Sequence, residues 1–251
     1  MQPKFLRIEI ALVLIASLGT SAIYSLLHLA QTLLSPAGLA GSKTELNPAL
    51  ATSEFFDFSY QLLGIVYSLA PAAIALYLLR RDNEKAFGDI GIWPMRPRMD
   101  LVRGLKLAAI IGVPGLAVYA LARLVNLAAK VVPSDLSGYW WLVPMLLLSA
   151  LRAALQEEVI MVAYLYKRCG QLGISFRNQQ LISAGIRGVY HAYQGFAGII
   201  GNFAMGLVFG WAYRKWGRVM PLIVAHFILD AVSFVGYALV AKQLATFGGL
   251  F

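Results

Sequence analysis

From residue 8 onward the sequence falls into apolar stretches about as long as a bilayer is thick, and this pattern constrains the fold more than any other feature. A helix needs about 20 apolar residues to cross roughly 30 Å of hydrocarbon. Stretches of this kind run over 8–34, 58–80, 102–125, 141–168 and 219–241. Two others, 178–194 and 196–214, are shorter, glycine-rich and almost contiguous. The pattern predicts an all-α, polytopic transmembrane helical bundle of about seven spans, with six to eight compatible. Only 13% of the residues are charged, against about 25% in soluble domains, which excludes an ordinary soluble enzyme. Lys4 and Arg7 precede an apolar segment without a small-x-small cleavage site, so the first span is expected to be retained as an anchor. The single cysteine, Cys169, excludes an internal disulfide and a thiolate metal cluster.

The net charge of +9 would suggest nucleic acid in a soluble chain, but in a bilayer protein it reports basic cytoplasmic loops, and no nucleic-acid partner is expected. With the N-terminus inside, fifteen Lys and Arg residues fall on the inner side, among them Arg80, Arg81, Lys167, Arg168, Arg177 and Lys215. Four fall outside: Lys43, Arg123, Lys130 and Lys242. This asymmetry predicts N-in, C-out topology. The polar stretch Arg80–Asp100 reads as a cytoplasmic connector too short to fold alone, and the outer loop 35–57 as a cap or a mobile segment.

Seven ionisable residues lie where hydrocarbon is expected: Arg152, Glu157 and Glu158 in the fourth span, Arg187 and His191 in the fifth, His226 and Asp230 in the seventh. The first three spans have almost none. Each such residue costs at least about 2.5–3.5 kcal/mol at the centre of a span, so a set of seven points to a reactive or ion-handling site rather than to packing. Counting 1.5 Å per residue from each inner end places Glu157 about 16 Å deep, His191 about 20 Å, His226 about 10 Å and Asp230 about 16 Å, in one slab where they could meet. Arg187 with His191, and His226 with Asp230, are four apart and share a helical face. Glu157 and Glu158 diverge by about 100°, which lets two carboxylates take different partners and roles. The glycines of the fifth and sixth spans, including Gly206 and Gly210 at GxxxG spacing, predict close helix approach around that pocket.

At Gln156-Glu157-Glu158, Arg187-Gly188-Val189-Tyr190-His191 and His226-Phe227-Ile228-Leu229-Asp230 the sequence resembles the CPBP family, the CAAX-protease and bacteriocin-processing (Abi) intramembrane endopeptidases. The likeness covers roughly 141–241, with Tyr190–His226 especially similar to actinobacterial members, and extends upstream to Asp89–Leu105. It divides the chain into 1–140, three spans and a connector, and 141–251, a catalytic core. Two positions depart from the family pattern: Val162 stands where an arginine is usual, and Arg187 where phenylalanine is usual. A guanidinium from the fifth helix could replace the one missing from the fourth.

The resemblance implies hydrolysis of a peptide bond in a membrane-associated protein or peptide, in a bacterial plasma membrane. Glu157 would be the general base, with His191 holding the water. His226, supported by Asp230, would face the oxyanion, and Glu158 would fix Arg187 or the backbone, with Arg152 in support. No cofactor is expected. The alternatives are a zinc site built from Glu157, His191 and His226, which lacks the HExxH signature, a noncatalytic scaffold that binds a cell-envelope partner, and a proton-coupled transporter, which an inverted repeat would favour and which none is seen to support.

Overall fold

The computed structural model describes residues 2–132 and 139–236. Their architecture is an all-α bundle of seven principal helices: α1 (Pro3–Leu34), α2 (Glu54–Asp82), α3 (Pro97–Leu124), α4 (142–171), α5 (Phe176–Tyr190), α6 (Phe196–Trp216) and α7 (Met220–Gly236). Four of them, α1, α2, α3 and α6, are long and apolar enough to cross a membrane. Their outer faces carry exposed Leu12, Ile23, Val66, Val113 and Leu116, which only a lipid environment solvates cheaply. Helix α4 is equally long but carries too many charges to be recognised by composition.

The expected fifth span, 178–194, is not one continuous helix. α5 has 15 residues, about 22 Å, and stops at Tyr190. A 3-10 turn at Ala192–Gln194 and Gly195, with φ of 89°, turn the chain into α6. A β-carbon at Gly195 would press on the Leu127 carbonyl 3.1 Å away, so the turn requires glycine twice over. The loop 35–57 is tied to the segment after α3 through a short parallel pair of β1 (Lys43–Glu45) and β2 (Lys130–Val132).

Packing follows the small residues. Gly206 lets α6 approach Ala184 of α5, where an added β-carbon would sit 2.7 Å from the Ala184 Cα, and Gly210 makes room for Tyr166 and Gln180. On the other side α7 lies against α3 and α4, with Gly104 accommodating Val224. The connector is locked to this unit. Arg218, buried at the turn before α7, donates to Asp100 at 2.9 and 2.7 Å and to the Pro94 carbonyl at 3.1 Å.

A second buried charge network was not anticipated. Arg168, assigned to an inner loop by the sequence, has no exposed side-chain surface; it meets Glu9 and Asp82, each at 2.8 Å, and donates to the Leu78 carbonyl. Tyr164 donates to Glu9 at 3.0 Å. The first span therefore contributes a carboxylate to the interior.

Candidate active site

Three helices deliver the polar residues to one place. On α4 the α-helical ladder ends at Glu158 and a π-helical turn follows over Val159–Tyr164, every residue of it buried. The widened turn leaves carbonyls without regular helical partners, and the Ser183 hydroxyl donates to one of them, Met161, at 2.9 Å. Glu157 and Glu158 thus sit at the end of a regular helix, held from α5.

Arg187 enters from α5 between them. Its Nη2 donates to Glu158 Oε1 at 2.7 Å and its Nη1 to Glu157 Oε2 at 3.3 Å, with both Arg187 and Glu158 fully buried. The guanidinium lies 5.5 Å from the Phe209 ring centre, which adds a cation–π contact from α6. From α7, His226 Nδ1 lies 2.6 Å from Glu158 Oε1, while its Nε2 is 3.4 Å from Asp230 and 4.0 Å from Glu157. Both ring nitrogens point at acceptors. The expected support of His226 by Asp230 is present, but the tighter contact is with Glu158.

The two glutamates are not equivalent. Glu158 has no exposure, whereas Glu157 is 9% exposed. The hydrogen bonds to Glu157 converge on Oε2, from Arg187 and from the Tyr190 hydroxyl at 2.6 Å. Its Oε1 receives none among the described residues. His191, at the end of α5, has Nδ1 3.0 Å from the Arg187 carbonyl, so that nitrogen carries the proton and the neutral ring keeps its lone pair on Nε2. Its ring lies 4.7 Å from that of Tyr190.

Of the seven residues singled out from sequence, Glu157, Glu158, Arg187, His226 and Asp230 are in contact, and His191 adjoins them through Tyr190 and Arg187. Arg152 does not join the cluster: it is half-buried and donates to Gln156, one turn along α4, at 3.3 Å. Tyr190 and Phe209 were missed. Tyr190 could have been found from its position three residues after Arg187 on the same helical face; Phe209 carries no such signal. Val162 is buried in the π turn, and Arg187 meets the glutamates instead of an arginine on α4.

The donor atoms that cluster most tightly belong to Glu157, Glu158 and His226, within 4.8 Å of one another. His191 is not among them, so the ligand set considered from sequence is not the one brought together. Nor do these donors suit a divalent ion, because Arg187 already bridges both carboxylates and would repel a dication at that point.

No curated protein and no solved structure matches the chain. Residues 139–232 match the family model described as Type II CAAX prenyl endopeptidase Rce1-like. That stretch holds α4, α5, α6 and most of α7, and with them every residue of the buried Glu–Arg–His cluster. Over that stretch the chain is similar to the CAAX-type membrane-embedded peptide hydrolases.

Proposed function

We propose that this chain is an intramembrane endopeptidase that hydrolyses a peptide bond of a membrane-associated protein or peptide with water activated by Glu157. The asymmetry of the two glutamates carries the reading: Glu157 is the less buried and has an oxygen left to accept a proton, while Glu158 is sealed behind Arg187 and His226. In this scheme Glu157 Oε1 takes a proton from water as the oxygen attacks the scissile carbonyl carbon, and His191 Nε2 accepts the second O–H and so aims the lone pair. The negative charge that develops on the carbonyl oxygen faces His226, whose Nε2–H is the loosely held side of the ring. When the C–N bond breaks, the proton held on Glu157 passes to the leaving amine. Asp230 orients His226. Arg187 and Tyr190 hold Glu157 in place through Oε2.

No step in this scheme uses a metal, and the guanidinium between the carboxylates speaks against one. Membrane proteomes of a null strain, a Glu157→Ala strain and the wild type are expected to show the same uncut protein accumulating in the first two, with cleavage in wild-type membranes surviving a strong chelator. Loss of cleavage on chelation and its return with zinc would replace this scheme with a metal-dependent one. A noncatalytic scaffold predicts no uncut protein in the Glu157→Ala strain.

The fifteen-to-four division of basic residues further supports an N-in, C-out orientation. In a Cys169→Ser background, Ser42→Cys is expected to react with an impermeant thiol reagent from outside and Lys215→Cys from inside only. The reverse labelling would invert the topology.

A further inference from the structure

We propose that the cleft between α1 and α5 is a binding site for one anionic phospholipid, with an acyl chain in the cleft and its phosphate on Arg7 and Arg177. The cleft is an open groove with a volume of about 440 Å³. Its walls are apolar, formed by Leu14, Gly19 and Ala22 on α1 and by Ile182, Gly185 and Val189 on α5. Two local features open it. A π-helical turn over Ile15–Gly19, in which Ser17 leaves helical dihedrals, displaces α1, and Gly185 faces open space with nothing within 4 Å of where a β-carbon would stand. Leu181 and Ile182 at the rim stay partly exposed, so the cleft is reached from the lipid side.

The two helices run in the same direction. Glu9 of α1 meets Arg168, just before α5 begins, and Ser25 of α1 accepts from the Tyr193 N–H, just after α5 ends. Arg7 precedes Leu14 by seven residues, two turns or about 10 Å on the same face, and Arg177 precedes Leu181 by one turn, about 6 Å. Both guanidinium groups therefore lie beyond the same end of the cleft. Each belongs to an exposed residue, and neither makes an ion pair among the described residues. An apolar slot ending at two unpaired guanidinium groups matches a chain ending in a phosphate, which arginine binds through paired N–H donors.

The proposal is independent of the proteolytic reading, since no residue in it belongs to the Glu–Arg–His cluster. The test uses the full chain in detergent, stripped of lipid and offered equal amounts of phosphatidylglycerol and phosphatidylcholine, with bound lipid read by native mass spectrometry. Wild type is expected to retain phosphatidylglycerol about tenfold or more over phosphatidylcholine, the scale of two basic side chains acting on an anionic headgroup. The Arg7→Gln/Arg177→Gln variant should lose that preference, and Gly185→Leu, which fills the cleft, should lower retention of both lipids. Lys43→Gln/Lys130→Gln, placed on the β pair, should change neither. Excess inorganic phosphate should not displace the lipid. Equal retention by wild type, a preference that persists in the double arginine variant, displacement by phosphate alone, or displacement by a prenylated peptide would each overturn the assignment.

Discussion

Replacement of Arg187 by methionine is expected to cost about 3–5 kcal/mol of stability, because removing one partner from a buried ion pair leaves the other charge uncompensated. The loss falls on more than one group: Glu158 Oε1 would keep only His226, and Glu157 would keep only Tyr190 as a hydrogen-bond donor. Chemical unfolding in detergent, followed by a helical signal, measures it. Arg187→Met combined with Glu158→Gln should be more stable than Arg187→Met alone, since the amide no longer brings a buried negative charge. A double variant no more stable than either single one would show that the 2.7 Å contact is not energetically coupled.

Glu157→Gln should leave folding intact and lower the cleavage rate by about two to four orders of magnitude, the usual contribution of a positioned general base. The amide keeps the shape and can still accept from Tyr190, but it cannot take the proton of the attacking water. His191→Ala and His226→Ala should each fall by a comparable factor, and the double histidine variant little further, because groups that act on one transition state are strongly non-additive. Arg152→Gln is expected to change the rate little, as its contact is with Gln156 rather than with the cluster. Full cleavage by Glu157→Gln would remove the basis for the mechanism.

Much of this architecture was legible because lipid imposes two simple rules, apolar length and the cost of intramembrane charge. The rules located seven helices and six of the residues that gather at or beside the site. They failed where tertiary contacts override them. Depth counting treated α5 as a span, yet its helix ends at Tyr190, since a turn there is tolerated once its backbone groups bond to Leu127 and Ala129 after α3. Arg168 looked like a loop cation because it follows Lys167 at the end of an apolar run. Only the fold shows that the two neighbours face opposite ways, Lys167 toward exposed Asp89 and Arg168 into the interior. The π turn after Glu158 likewise has no sequence mark.

The pairing of Arg168 with Glu9 and Asp82 has a bearing on how the protein is made. Synthesis delivers the N-terminus first, so α1 and α2 enter the membrane before α4 exists. Each brings one carboxylate, and the arginine that needs both arrives last. The order of emergence gives Arg168 an acceptor pair as soon as it leaves water, and it commits the later helices to a docking position that the earlier ones already define. A chain beginning after α2 would have to insert the same arginine without either carboxylate.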